Sequence, residues 1–396
     1  MVDRFLAIGR VRIAGLLNAM NEKKLQITFI LPHAGIAGGI RVIAIYAQRL
    51  QRRGHNVTVV STPWTPPGRL ARAKCQMHNW VERFGFLPPR PPDPSHFRGL
   101  DVKHIQIKRI RPVKNSDVPD GDVVVATWWQ TARWVADLSS RKGAKAYFVQ
   151  DYGAHSGQPM DRVAETWSLP LHKIVISRWL MELIRQYSGD ACVDYVPNAV
   201  DHEQFHALPR GKQARATVGF LYNTAPQKGC DIILEAIRLA RRECPELQVV
   251  AYGPCEPELQ LPLPPGTRYS YFAPDSRLRE IYAACDAWLF GSRSEGFGLP
   301  ILEAMACRTP VIGTPAGAAP DLLAEGGGVL VRANDPQHMA EAILRVVRLP
   351  EAQWKSMSDS AHLTASRYTW EQATDLFESA LRRAIAKPAA MVPALA

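Results

Sequence analysis

No stretch of the 396-residue chain stays apolar for the roughly 18–20 residues that a membrane-crossing helix needs. Its seven cysteines (Cys75, Cys192, Cys230, Cys244, Cys255, Cys285 and Cys307) form no Cys-x-x-Cys pair. An odd number at wide spacing argues against a disulfide framework or a cysteine zinc site and for a reducing, cytoplasmic setting. No Gly-x-Gly-x-x-Gly follows the first candidate strand, which disfavours nicotinamide dinucleotide binding. Acidic residues are scarce in the first third. Residues 1–114 hold 20 Lys and Arg against 5 Asp and Glu, and the remainder holds 28 against 32, so the first third carries all of the +11 excess. Such a surface suits nucleic acid, an anionic membrane or a lipid phosphate. No nucleic-acid-binding motif accompanies it, so a membrane face is the expected partner and nucleic acid is not.

What is present reads as two domains. The length exceeds one ordinary core and suits two of roughly 150–200 residues. Residues 1–24 alternate apolar side chains with Arg4, Arg10 and Arg12, which breaks a secretory signal and leaves a short amphipathic extension. From residue 25 onward, short apolar runs alternate with longer helical spacings. Strands are expected at 25–31, 56–60, 103–109, 122–127, 145–150, 172–176 and 193–196, with helices at 40–53, 129–141 and 178–187. Residues 62–99, rich in Pro and Arg, interrupt the series as a long surface insertion. The run Pro197-Asn198-Ala199-Val200-Asp201 marks a domain boundary. A second series follows, with strands at 217–222, 248–252, 268–272, 287–290, 310–313 and 328–332. Its helices fall at 230–243, 276–285, 300–307 and 336–348. The divisions are thus 1–24, 25–200, 201–366 and a last helix within 367–386. The apolar stripe of that helix (Ala373, Leu376, Phe377, Ala380, Leu381) is placed to cross back to the first domain. Alternation of this kind predicts two parallel-sheet α/β domains facing one another, with ligands beyond the carboxyl ends of the strands.

The chemistry concentrates at residues 287–303. A buried strand ends at Gly291, a loop carries Glu295-Gly296-Phe297-Gly298-Leu299, and Pro300 suits the first turn of a helix. Free N–H groups at such a helix start attract phosphate or sugar oxygens, and glycines allow close approach. Glu295 falls in the loop and Glu303 in the first helical turn. Carboxylates at the two ends of this segment suit vicinal hydroxyls, as on a sugar ring or ribose. Residues and spacing therefore read as a polyol-phosphate site.

The segment 292–306 (SRSEGFGLPILEAMA) also resembles the E-x7-E signature of family 4 retaining glycosyltransferases, which have the GT-B fold. Further segments similar to that family are Gly38-Gly39-Ile40-Arg41-Val42, residues 54–59, residues 196–201 with Phe205, Lys228-Gly229, and residues 307–312. They follow the family's order across roughly 25–385. The resemblance implies two Rossmann-like domains around a cleft and transfer of a sugar from a nucleotide diphosphate-sugar to a hydroxyl acceptor. It implies retention of configuration and no essential metal or other cofactor. Glu295 would contact the donor sugar, and the backbone of Gly296 to Leu299 would hold sugar and diphosphate oxygens. Glu303 would bind the ribose, Lys228 would neutralise the diphosphate, and Gly38 and Gly39 would approach the phosphates from the first domain. A bacterial glycan or lipid-linked acceptor at the inner membrane face is the expected second substrate.

Two positions depart from the family. An Arg expected about five residues before the Lys is absent, leaving Asn223 in its place and Arg293 as the nearest basic alternative. A His expected after a middle strand of the first domain is replaced by Gln150-Asp151-Tyr152, so Asp151 is the candidate near the reacting carbon and His155 a bystander. Gln150-Asp151-Tyr152 is similar to a rhamnosyltransferase-like branch. Asp120-Gly121-Asp122 precedes its strand and reads as a turn, not a metal motif. Trp128 and Trp129 suit either sugar stacking or core filling. An epimerase or phosphorylase on the same fold, or an inactive sugar-binding subunit of a polysaccharide assembly complex, are the alternative readings.

Overall fold

A computed structural model describes residues 23–64, 95–153, 158–188 and 193–386. The expectations for residues 1–22, for most of the 62–99 insertion and for His155 lie outside the described residues.

The first sheet is built from β1 (Gln26–Leu31), β2 (Asn56–Ser61), β3 (Lys103–Gln106), β4 (Val123–Ala126), β5 (Ala144–Val149), β6 (His172–Val175) and β7 (Val193–Tyr195), in the order β3-β2-β1-β4-β5-β6-β7. Every pairing is parallel. The second sheet holds β8 (Thr217–Leu221), β9 (Gln248–Gly253), β10 (Arg268–Tyr271), β11 (Ala287–Phe290), β12 (Val311–Gly313) and β13 (Gly328–Leu330), in the order β10-β9-β8-β11-β12-β13 and again parallel. Parallel strands covered on both faces must be apolar throughout rather than alternating. Val123 to Ala126 of β4 and Ala287 to Phe290 of β11 are accordingly buried along their whole length.

In each sheet the winding direction reverses at one point, between β1 and β4 and between β8 and β11. Loops on either side of such a reversal splay apart and leave a crevice at the carboxyl ends. The loops after β1, β5, β8 and β11 carry the residues singled out above, so topology alone gathers them.

The helices are α1 (Gly38–Arg52), α2 (Trp129–Ala136), α3 (Met160–Trp167), α4 (Arg178–Ser188), α5 (Cys230–Glu243), α6 (Asp275–Ala283), α7 (Leu299–Ala306), α8 (Ala319–Leu323), α9 (Pro336–Val347), α10 (Glu351–Ser366) and α11 (Trp370–Ala386). α9 starts as its sequence suggests, with the Asp335 carboxylate accepting from the His338 N–H at 2.8 Å. The helix expected over 129–141 stops at Ala136, because Ser139 is extended and its N–H bonds the Asn115 side chain. α3, α8 and α10 were not expected from the periodicity.

α11 follows the second sheet in sequence but packs against β4, β5, β6 and α1 of the first. Its Phe377 stacks on Tyr46 at 4.4 Å and meets Phe148 edge-on at 5.1 Å. Ion pairs line the same contact. Arg49 reaches Glu371 at 3.0 Å, Arg53 reaches Asp375 at 2.8 Å and Glu378 at 3.2 Å, and His55 Nε2 lies 3.2 Å from Glu378. The chain thus passes between the sheets twice, and the two passes touch where Val200 bridges Thr369.

Candidate active site

β11 delivers the chain to the cleft at Gly291, and eight residues later α7 begins. Gly298 caps α7 at φ 95°, a left-handed conformation that a side chain resists. Pro300 occupies the first turn, where its missing N–H is no loss. The expected start at residue 300 is one residue late. Helical geometry from Leu299 places Glu303 just beyond the first turn, where it is buried instead of lying at the exposed helix start.

The loop between is held by its carbonyls. The Gly296 carbonyl accepts from Trp179 Nε1 at 3.2 Å and the Phe297 carbonyl from the Ala318 N–H at 2.8 Å. Pro300 has no N–H and the Ile301 N–H bonds the Gly298 carbonyl at 3.0 Å, so an anion at this helix start would meet the N–H groups of the loop and of Leu299. The Phe297 side chain is buried in the core, so only its backbone serves the loop. Gly296 also touches the opposite domain, and a Cβ there would overlap the Gln150 carbonyl oxygen.

Glu295 accepts from Lys228 Nζ at 2.7 Å and from Ser292 Oγ at 2.9 Å, both on Oε1. Lys228 ends a single helical turn that follows β8, so the two switch-point loops of the second sheet bring this cation and carboxylate together. The pair is only partly exposed, with side-chain accessibilities of 30% and 16%. Asn223, in the same loop, accepts from the Ala225 N–H at 2.9 Å and so shapes the turn. Arg293 is spent on structure. It grips Asp231 at 2.6 and 2.9 Å, and also bonds the Pro226 carbonyl and Asn334, each at 2.7 Å.

Glu303 lies deeper. Tyr282 donates to its Oε2 at 2.7 Å, and Tyr252 stands 2.7 Å from the Tyr282 hydroxyl. Since Tyr282 gives its proton to the carboxylate, it receives one from Tyr252. Burial raises the Glu303 carboxyl above its ordinary range, while Arg41 and then Tyr282 pull it back. Burial also drives both phenols far above their ordinary value, so each keeps its proton. The second oxygen of Glu303 faces the first domain, 3.9 Å from an Arg41 amino group.

From the first domain, Gly39 presents its backbone to the Gln150 carboxamide, whose Oε1 is buried without a partner. Gly38 begins α1 with open space, among the described residues, where a side chain would stand. Gln150 therefore sits between Gly39 and Gly296, one loop from each domain. Asp151, next along, accepts from the Gly153 N–H at 3.4 Å. Trp129 is buried and bonds Gln158, as core filling rather than as a stacking face. Asp120 and Asp122 lie at the opposite edge of the first sheet, paired with Arg141, Lys142 and Lys23 and receiving the Gln26 N–H. That is the turn expected of them.

The sequence reading named neither Arg41, Gln150, Tyr282 nor Ser292 as a site residue. Two of these had a signal. Arg41 stands one turn after Gly38-Gly39 on the same helix, and Gln150 opens the departure at 150–152. Tyr282 had none, because only the fold brings α6 beside α7.

Residues 215–348 match the family described as "Glycosyl transferases group 1". The chain is 32% identical to the D-inositol 3-phosphate glycosyltransferase of Mycobacterium avium, with 52% of this chain and 52% of that protein covered. A Mycobacterium leprae protein of the same name is 31% identical at similar coverage. The chain thus spans about half the length of the curated relatives it matches. In fold the whole chain is similar to HepE of Anabaena, solved in complex with UDP and glucose, at 16% identity and a TM-score of 0.66 over 91% of this chain and 100% of that one. It is equally similar to sucrose-phosphate synthase from Thermosynechococcus elongatus, at 15% identity and a TM-score of 0.66 over 91% and 99%. The architecture is that of the GT-B glycosyltransferases.

Proposed function

We propose that the protein is a glycosyltransferase that moves a sugar from a nucleotide diphosphate-sugar to a hydroxyl acceptor with retention of configuration. The observation that carries this reading is the Lys228–Glu295 pair beside the start of α7, where two switch-point loops of the donor-side sheet meet the first domain. The family match over 215–348 covers that segment, and HepE, of similar fold, binds UDP and glucose.

In this reading the diphosphate lies against the N–H groups at the start of α7. Lys228 leaves Glu295 to pair with it. Charge on the diphosphate grows as the glycosidic bond breaks, so a fixed cation stabilises the transition state more than the bound donor. Glu295, released, accepts from hydroxyls of the sugar, and Ser292 keeps it oriented. The Gln150 carboxamide, beside Gly39 at the start of α1, aligns sugar and phosphate, with Asp151 next to it in sequence. The departing phosphate oxygen takes the acceptor's proton on the same face of the ring, so no dedicated protein base is required. Lysine and helix N–H groups supply the charge compensation that a divalent ion gives elsewhere, so no metal is needed.

The acceptor binds on the first domain, and the reaction runs at the cytoplasmic face of the membrane in glycan assembly. Exposed Lys108 and Arg109 beside an outward Ile110 support a docking face for anionic lipid. Co-sedimentation with anionic vesicles at low salt tests that part. The reaction itself is tested by screening UDP-, GDP- and dTDP-sugars for thermal stabilisation and then for transfer. A new glycoside of unchanged anomeric configuration by NMR is expected, insensitive to EDTA and lost in Glu295→Ala. Release of free sugar or sugar phosphate alone would assign the fold to another reaction.

A further inference from the structure

Arg41 occupies an unusual position. It stands on α1 of the first domain, yet its guanidinium reaches the second. One amino group lies 3.9 Å from Glu303 Oε1 and the other 3.9 Å from Asp275. Both distances exceed a hydrogen bond. The direct bond Arg41 makes is to Gln204 Oε1, at 3.0 Å, and Gln204 in turn bonds the Asp275 carbonyl at 3.1 Å. Gln204 thus aims the guanidinium, and among the described residues most of its five donors are left uncommitted. Its side chain is 27% accessible, while Glu303 across from it is 10% accessible. A hydroxyl oxygen set beside this gap, not within it, reaches both groups at hydrogen-bond distance, giving its proton to the carboxylate and accepting one from the guanidinium. Glu303 Oε2 is already taken by Tyr282, so Oε1, the oxygen facing Arg41, is the one a ligand meets.

We propose that Arg41 is a donor-positioning residue that closes the ribose pocket from the opposite domain, donating to the ribose hydroxyl whose proton Glu303 accepts. The proposal rests on the donor-site reading given above. It makes the sugar of the nucleotide, not only its diphosphate, a bridge between the domains. It also places a cation in the donor site of a chain that has Asn223 where a second basic residue is expected. A nucleotide lacking both ribose hydroxyls cannot form the bridge, so Arg41 favours ribonucleotides over their 2′,3′-dideoxy counterparts.

The test measures binding of UDP and GDP, and of their 2′,3′-dideoxy counterparts, by titration calorimetry to the full chain and to Arg41→Gln and Arg41→Lys. Thermal unfolding without ligand checks that the variants fold. The full chain is expected to prefer the ribonucleotide, and Arg41→Gln to weaken it about tenfold while leaving the dideoxy form within about twofold. Arg41→Lys, which keeps the charge without the planar fork, should recover only part of the preference. An equal loss for ribo and dideoxy forms, or no loss at all, overturns the ribose assignment while the donor-site reading stands. If the full chain binds no nucleoside diphosphate, the donor-site reading falls and the proposal with it.

Discussion

At the residue scale, Glu303 illustrates how a proposed binding group can oppose stability. Its carboxyl is raised by burial, so ionising this poorly solvated acid costs the folded chain stability. A raised folded value means that this cost is fully present above it and fades as pH falls to the ordinary carboxylate value, where both states are protonated. Glu303→Gln should therefore raise the melting temperature at about pH 8, by an amount that shrinks towards about pH 4.5. The same substitution should weaken nucleotide binding about tenfold. Equal melting temperatures across that range would refute the account of burial. Gly296 makes the complementary case, because no side chain fits between its Cα and the Gln150 carbonyl. Gly296→Ala should push the two loops apart and reduce kcat/KM by about a hundredfold, the scale of an ångström misplacement. Wild-type kinetics in that variant would mean that the contact is dispensable.

At the element scale, much was legible. Parallel strands buried on both faces are short apolar runs, and β4, β8 and β11 declare themselves. So does the glycine turn into α7. α10 did not, because its buried face runs through Trp354, Ser358, Ala361, Thr364 and Ala365, and two of those five are hydroxyl side chains. A stripe read from hydrophobicity alone misses a face that buries Ser and Thr. The candidate site divides in the same way. Glu295, Glu303 and Lys228 announce themselves by residue type and spacing, whereas Tyr282 and Gln150 depend on which elements the fold brings together. α11 carries a prediction of its own. His55 first, then Arg382 and Arg53, hold the Glu378 carboxyl down to about 2, with burial opposing them. A depressed folded value contributes stability above the unfolded value and loses it as pH falls through the folded one. Glu378→Gln should thus lower stability to urea at neutral pH, and its deficit should disappear between about pH 4.5 and about pH 2. A deficit independent of pH would show that packing, not charge, is at stake.

At the scale of the whole molecule, two chain passes join the sheets, and they meet at the Val200–Thr369 bridge. Polar contacts across the cleft among the described residues include Trp179 on the Gly296 carbonyl, Arg41 towards Glu303 and Asp275, and Arg178 3.8 Å from Asp321. Such contacts open readily, and closure about the two passes would exclude water from the donor. A saturating nucleoside diphosphate should slow amide exchange at residues 196–205 and 366–370 severalfold, beyond the binding loops themselves. Slowing confined to the loops after β8 and β11 would argue against a hinge at this point.

The return of α11 also sets an order of events during synthesis. The first domain begins at β1, yet the helix that covers β4 to β6 and packs Phe377 onto Tyr46 lies more than 170 residues beyond the last strand of its sheet. A ribosome therefore finishes the second domain before it releases the piece that seals the first. Until α11 is made, β4 to β6 lack that apolar cover, while the later domain already has all of its strands.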